Sequence, residues 1–210
     1  MYSSKENVNI LTALLVKEGI TKAVVCPGSR NSPIVHNLCA CPDITCYPVT
    51  DERSAGFVAL GMTLADNEPV AVCVTSGSAL LNIAPAAAEA YYQNRPLIII
   101  SADRPVQWID QQDGQTIHQQ NALSPNVRKS VTLPEPHDDE ERWYCNRLVN
   151  EALNASTTDG GGPVHINVAI GEPLFDYRVL QLPDERRTIL HRAVTDVARV
   201  CEVAADFFCG

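Results

Sequence analysis

Two short runs, Val70-Ala71-Val72-Cys73-Val74 and Leu97-Ile98-Ile99-Ile100, are apolar at every position. Runs of four or five such residues without polar alternation read as strands that meet the core on both sides. Strands of that kind need cover above and below, and alternating helices provide it. The fold class that follows is α/β: a doubly wound, mostly parallel sheet with helices on both faces.

The rest of the chain fits this cycle. Val8, Leu11, Leu14 and Leu15 fall on one helical face that Gly19 closes. Residues 22–26 read as a strand entering a Pro-Gly-Ser turn, and Ser32 and Pro33 as the N-cap and first position of a helix ending near Cys39. A strand over 45–49 precedes a helix over 52–65, in which Phe57, Leu60 and Leu64 share a face. Thr75-Ser76-Gly77 then leads into an Ala-rich helix ending near Gln93. From Asp103 to Val127 the sequence is glutamine-rich without apolar periodicity, which reads as an irregular crossing loop with a short helix. Residues 131–133, 140–153 and 164–168 continue as strand, helix and strand. After Pro173 the pattern weakens, and residues 186–208 fit either a helix or the opening of a linker. The domain is expected over 1–180, with 181–210 as a C-terminal extension or the start of a linker.

With 45% hydrophobic residues among 210, the chain has material for one large core without staples. A net charge of -9 disfavours a polyphosphate backbone as partner, so no nucleic acid is expected. The polar start and the lack of a long apolar stretch point away from export and membranes and toward a cytoplasmic protein. The eight cysteines are even in number, yet Cys26 and Cys73 sit inside strand runs, where reduced thiols act as small hydrophobes. His36, Cys39, Cys41 and Cys46 lack the paired spacing of a structural zinc site. His118 has no nucleophile partner that its spacing identifies.

Loops that follow parallel strands share one rim, so their polar residues are candidates for a common site. Pro27-Gly28-Ser29-Arg30 offers backbone donors and a guanidinium to an anion, although turn formation explains the glycine equally well. Arg104, in Asp103-Arg104-Pro105, can reach an acidic ligand or merely pair with Asp103. Glu52 starts a helix directly after a strand, where the helix dipole favours an acid whether it caps or reacts. Thr75-Ser76-Gly77-Ser78 presents hydroxyls and amides at another strand end, and Gly77 is equally a turn residue.

Four ordered motifs carry a resemblance: Cys26-Pro27-Gly28-Ser29-Arg30-Asn31-Ser32-Pro33, Asp51-Glu52-Arg53-Ser54-Ala55-Gly56-Phe57, Thr75-Ser76-Gly77-Ser78-Ala79 and Ser101-Ala102-Asp103-Arg104-Pro105. Over residues 8–180 the chain resembles the N-terminal pyrimidine-binding domain of the MenD family. These are thiamin-diphosphate-dependent 2-succinyl-5-enolpyruvyl-6-hydroxy-3-cyclohexene-1-carboxylate (SEPHCHC) synthases of menaquinone biosynthesis. The resemblance implies that Glu52 is the catalytic carboxylate that hydrogen-bonds N1' of the cofactor's aminopyrimidine, with Ser76 and Gly77 also at the cofactor. It implies that Ser29, Arg30, Arg104 and Gln115 line the site for 2-oxoglutarate and isochorismate. Gly114 departs from relatives that place asparagine there. The family's Gly-Asp-Gly motif and downstream asparagine, which hold Mg2+ and the diphosphate, do not occur in this chain, so no metal ligand is expected within it. By the same resemblance the chain is expected to be an inactive N-terminal fragment of a homodimeric enzyme. Any one motif alone would fit an acetolactate-synthase-like or other thiamin-diphosphate decarboxylase domain. The rival classes are a non-catalytic binding or assembly module, and a hydrolase, for which no G-x-S-x-G elbow is present.

Overall fold

The computed structural model describes residues 1–188. Strands β1 (Lys22–Val25), β2 (Thr45–Pro48), β3 (Val70–Val74), β4 (Leu97–Asp103), β5 (Lys129–Leu133) and β6 (Val164–Ala169) form one sheet. Their order is β2-β1-β3-β4-β6-β5, and every neighbouring pair is parallel. The helices are α1 (Glu6–Lys17), α2 (Ser32–Ala40), α3 (Glu52–Asp66), α4 (Ser78–Asn82), α5 (Ala84–Tyr92) and α6 (Asp139–Thr157).

The two-residue period of a strand explains the two-sided core. In β3 and β4, Ala71, Cys73, Ile98 and Ile100 pack with Leu11 and Leu14 of α1, Leu38 of α2 and Val149 of α6. Their neighbours Val70, Val72, Val74, Leu97 and Ile99 pack on the opposite face with Leu60 of α3, Leu80 of α4 and Ala87 of α5. Each fully buried Ile or Leu contributes roughly 1.5–3 kcal/mol, so the unbroken apolar runs are what hold the layers together. No described helix is long and apolar enough to cross a membrane.

The expected elements are present with local corrections. Ser32 is the first residue of α2 rather than its cap; Asn31 occupies the cap position, and its Nδ2 donates to the Cys26 carbonyl at 2.8 Å. The Ala-rich helix is broken at Ile83 into α4 and α5, with Pro85 in the first turn of α5. Phe57 and Leu64 do not face the core: they are 45% and 41% exposed, while Leu60 is buried. The buried stripe of α3 is made instead of Ala55, Gly56, Ala59, Leu60 and Thr63. Small residues are needed there because a Cβ on Gly56 would stand 2.8 Å from the Ala86 Cβ of α5. The segment 186–208, expected as either a helix or the opening of a linker, lies from residue 189 onward outside the described residues.

Two features of this topology position a site. The chain leaves β1 for β2 on one side and then crosses back to β3 on the other, which makes the β1/β3 boundary a topological switch point. After β4 it runs through the irregular segment 104–128 to edge strand β5, and α6 brings it back to β6. On the face that α3 to α5 cover elsewhere, β4 to β6 carry Ser101, Asp103, Ser130, Thr132, His165 and Asn167. The crossing segment lies over this polar strip, with Gln119 hydrogen-bonded to Ser101 and Asn167.

Candidate functional site

All strands are parallel to their neighbours, so the loops after β1, β2, β3 and β4 open on the same rim. At the switch point two glycines let backbone segments touch. A Cβ on Gly28 would lie 2.5 Å from the Thr75 Cβ, so the turn after β1 rests directly on the end of β3. Gly77, at φ +75°, takes a conformation that favours glycine, and a Cβ there would lie 2.8 Å from the carbonyl carbon of Gln115. Gly28, Ser76, Gly77 and Gln115 are thereby brought to one place. Ser76 is fully buried, and its hydroxyl has no hydrogen-bond partner among the described residues. Ser29 stands exposed at the start of the following turn.

Glu52 is the first residue of α3, and the capping role that would explain an acid there belongs to its neighbour. Asp51 is the N-cap and accepts from the Ser54 amide at 2.8 Å. No hydrogen bond or ion pair within the described residues engages the half-buried Glu52 carboxylate. It nevertheless acts on the end of β1: burial pushes the Cys26 thiol up to about 12, with the Glu52 and Asp51 charges adding to that effect. An unpaired carboxylate thus sits at a helix start beside the switch point, available to accept a hydrogen bond from a ligand.

Arg30 and Arg104 also come together. Burial lowers the Arg30 pKa, and the nearby Arg104 guanidinium lowers it further. Arg30 Nη1 donates to the Ile170 carbonyl at 2.9 Å and lies 3.3 Å from the exposed Glu172, while its buried Nε has no partner among the described residues. Arg104 does not pair with Asp103; its Nε bonds Asp113 across the crossing segment. Asp103 is buried and is used differently, accepting from the Arg104 amide at 2.8 Å and from Asn167 Nδ2 at 2.7 Å. Burial raises its pKa despite those bonds.

Sequence reasoning missed Gln119, Asn167 and Asp113. Gln119 is fully buried and accepts from the Gly77 amide at 2.7 Å. Its Nε2 donates to Asn167 Oδ1 at 2.7 Å and to the Ala102 carbonyl at 3.0 Å. The only sequence signal was the run of glutamines, which does not say which one turns inward. Beside this network, a cleft of about 950 Å³ is lined by Arg104, Gln119, Asn121, Thr132, Glu135 and Tyr144, among others, and does not reach Glu52. Other candidates are engaged elsewhere: His118 lies 2.9 Å from Asp110 at the surface, and His36 stacks on Tyr177 at 3.7 Å. Among the described residues, no group of three His, Cys, Asp or Glu side chains is placed to hold a metal.

Comparison with known proteins adds a family and relatives. Residues 6–123 match the family described as thiamine pyrophosphate enzyme, N-terminal TPP binding domain. The chain is 59% identical over 186 residues to the 2-succinyl-5-enolpyruvyl-6-hydroxy-3-cyclohexene-1-carboxylate synthase of Bacteroides fragilis, covering 89% of this chain and 34% of that protein. The synthase of the same name from Bacteroides thetaiotaomicron is likewise 59% identical over 186 residues, with the same coverage of both. The Porphyromonas gingivalis synthase is 46% identical over 175 residues, covering 83% of this chain and 30% of that protein. The chain therefore spans about a third of the length of these curated relatives.

Proposed function

The chain belongs to the thiamine pyrophosphate enzymes through their N-terminal TPP binding domain, and from that premise we propose that it is the pyrimidine-binding part of a SEPHCHC synthase. The observation that carries the reading is Glu52, a carboxylate left without a partner among the described residues at the switch point of the sheet. The substrates implied by the four-motif resemblance are 2-oxoglutarate and isochorismate, a reading that the relatives' shared name supports.

The residues present fit an aminopyrimidine. Glu52 offers an acceptor, the buried Ser76 hydroxyl lacks a partner among the described residues, and Gly28 and Gly77 leave no side chain between the turns. When bound, thiamin diphosphate supplies a carbon nucleophile and an electron sink for decarboxylation of a 2-oxo acid and transfer of the remaining acyl unit. The Glu52 carboxylate accepts a hydrogen bond from the ring N1' and holds a proton there, which raises the basicity of the exocyclic nitrogen. Arg30 and Arg104 hold substrate carboxylates through parallel hydrogen bonds, exchanging the carboxylates of Glu172 and Asp113 for those of the ligand. Ser29 and Gln115 complete the polar lining. Mg2+ and the diphosphate are held by the part of the synthase that this chain does not span, in a cytoplasmic homodimer.

The test is Glu52→Gln in the complete synthase, with product formation from 2-oxoglutarate and isochorismate as the readout. Loss of the charge at N1' is expected to lower turnover by about 100-fold or more, the scale of positioned acid–base groups. Turnover equal to that of the unaltered synthase overturns the assignment of Glu52. Product formation from two pyruvates in place of these substrates overturns the assignment of substrate.

A further inference from the structure

We infer that Gln119 is a positioning residue, joining the Gly77 turn to the Asp103-Arg104 turn through one buried chain of hydrogen bonds. Its functional consequence rests on the reading above, whereas the physical linkage does not.

The chain can be followed atom by atom. The Gly77 amide donates to Gln119 Oε1 at 2.7 Å, and Gln119 Nε2 donates to Asn167 Oδ1 at 2.7 Å. Asn167 Nδ2 donates to Asp103 Oδ2 at 2.7 Å, and Asp103 Oδ1 accepts from the Arg104 amide at 2.8 Å. Ser101 braces the middle, its hydroxyl donating to Asn167 Oδ1 at 2.8 Å. Gln119, Ser101, Asp103 and Asn167 are almost wholly buried, so no water competes for these bonds.

Geometry makes the glutamine the piece that closes the chain. Gly77 has a backbone conformation that side chains rarely adopt, and the Gln115 backbone presses on it from the same crossing segment. Anchoring Gln119 on β4 and β6 therefore fixes both the segment that covers Gly77 and the amide of Gly77 itself. At the other end, the Asp103 carboxylate sets the first peptide after β4, from which the Arg104 guanidinium departs. A shift at either turn is passed to the other through residues that belong to different strands. On the proposed function, one turn faces the cofactor ring and the other the substrate carboxylate, so Gln119 holds the two at a fixed separation.

The experiment uses the complete synthase with Gln119→Met, which keeps volume and removes the bonds, and Asn167→Ala, which leaves Gln119 and Gly77 unaltered. Amide hydrogen exchange of the peptide containing Gly77 is followed by mass spectrometry without cofactor or substrate. Both variants are expected to raise exchange at Gly77 at least tenfold, the Asn167 variant doing so from across the network. Kinetics then separate positioning from loss of folded enzyme. Positioning raises the half-saturating concentrations of thiamin diphosphate and 2-oxoglutarate together, by threefold or more, whereas a smaller folded fraction lowers kcat alone. Exchange at Gly77 unchanged in either folded variant overturns the linkage. Raised exchange with unchanged half-saturation keeps the linkage and overturns its role at the site. If Glu52→Gln turns over normally while Gly77 exchange rises, the proposed function fails and the linkage stands.

Discussion

Lowering the pH from 7 to 5 should destabilise the fold through one buried histidine. His165 is fully buried on β6 with its Nε2 2.8 Å from the Ser101 hydroxyl and its Nδ1 3.2 Å from that of Ser130. Because Ser101 donates onward to Asn167, the network assigns the proton to Nε2 and leaves Nδ1 to accept from Ser130. A neutral ring satisfies both partners, and burial depresses its pKa from 6.5 to about 4. The unfolded chain thus binds more protons than the folded one between those values. Stability is full above pH 6.5 and is lost as the pH falls toward 4. Integrating the linkage gives a loss of about 2 kcal/mol between pH 7 and 5, toward a limit of about 3 kcal/mol. Asp51, Glu151 and Asp184, whose pKa values are lowered, lose their contribution at more acidic pH, below the ordinary carboxylate range. Asp103, whose pKa burial raises, opposes the histidine as its carboxyl takes up a proton. Urea unfolding followed by far-UV circular dichroism at pH 7, 6 and 5 measures the loss, with His165→Gln as the reference. An equal pH dependence in the two proteins would refute the reasoning.

Two further outcomes follow from packing. Gly28→Ala should cost about 1–3 kcal/mol by urea unfolding, since its new methyl meets the fixed Thr75 Cβ, whereas Gly114→Ala, with nothing within 4 Å, should stay within about 0.5 kcal/mol; equal effects at both positions would count against the contact. Among the described cysteines of the native protein, an aromatic disulfide reagent should modify the exposed Cys39 first and reach the buried Cys26, Cys73 and Cys145 only on unfolding. Titration of the unfolded, unreduced chain should give close to eight thiols, and a count near zero would reject reduced cysteines.

The layers were legible because strand β3 and the start of β4 declare themselves: unbroken apolar runs require cover on both faces, and the helices between them are periodic. The orientation of α3 was not. Phe57, Leu60 and Leu64 form the more hydrophobic stripe, but close approach of α5 selects the smaller one, and that depends on Ala86, thirty residues away from Gly56. Loop positions of Arg30, Glu52 and Arg104 were legible from strand ends alone, since parallel strands send their loops to one rim. Their partners were not: Arg30 donates to the carbonyl of Ile170, and Arg104 turns from its neighbour Asp103 to Asp113. Gln119 was hidden for the same reason, because its bonds run to Gly77, Ala102 and Asn167 and no local pattern connects those positions.

The polar strip on β4 to β6 separates what the fold needs from what the rim needs. Strand β3 shows that sheet stability is served by apolar residues at every position. An unpaired polar group in the same setting costs about 1–3 kcal/mol, and replacing a bonded pair by apolar groups of equal shape can be neutral or stabilising. Ser101, Asp103, His165 and Asn167 therefore gain the sheet little that valines would not supply. With Gln119, the chain of bonds through Asn167 and Asp103 ends instead on the backbone amides of Gly77 and Arg104, two turns that carry the candidate ligand contacts. An irregular segment covers the strip where an apolar helix face would leave these polar groups unpaired. The segment must offer an amide donor and acceptor inward, and Gln119, the buried one among its six glutamines, is the residue that does so.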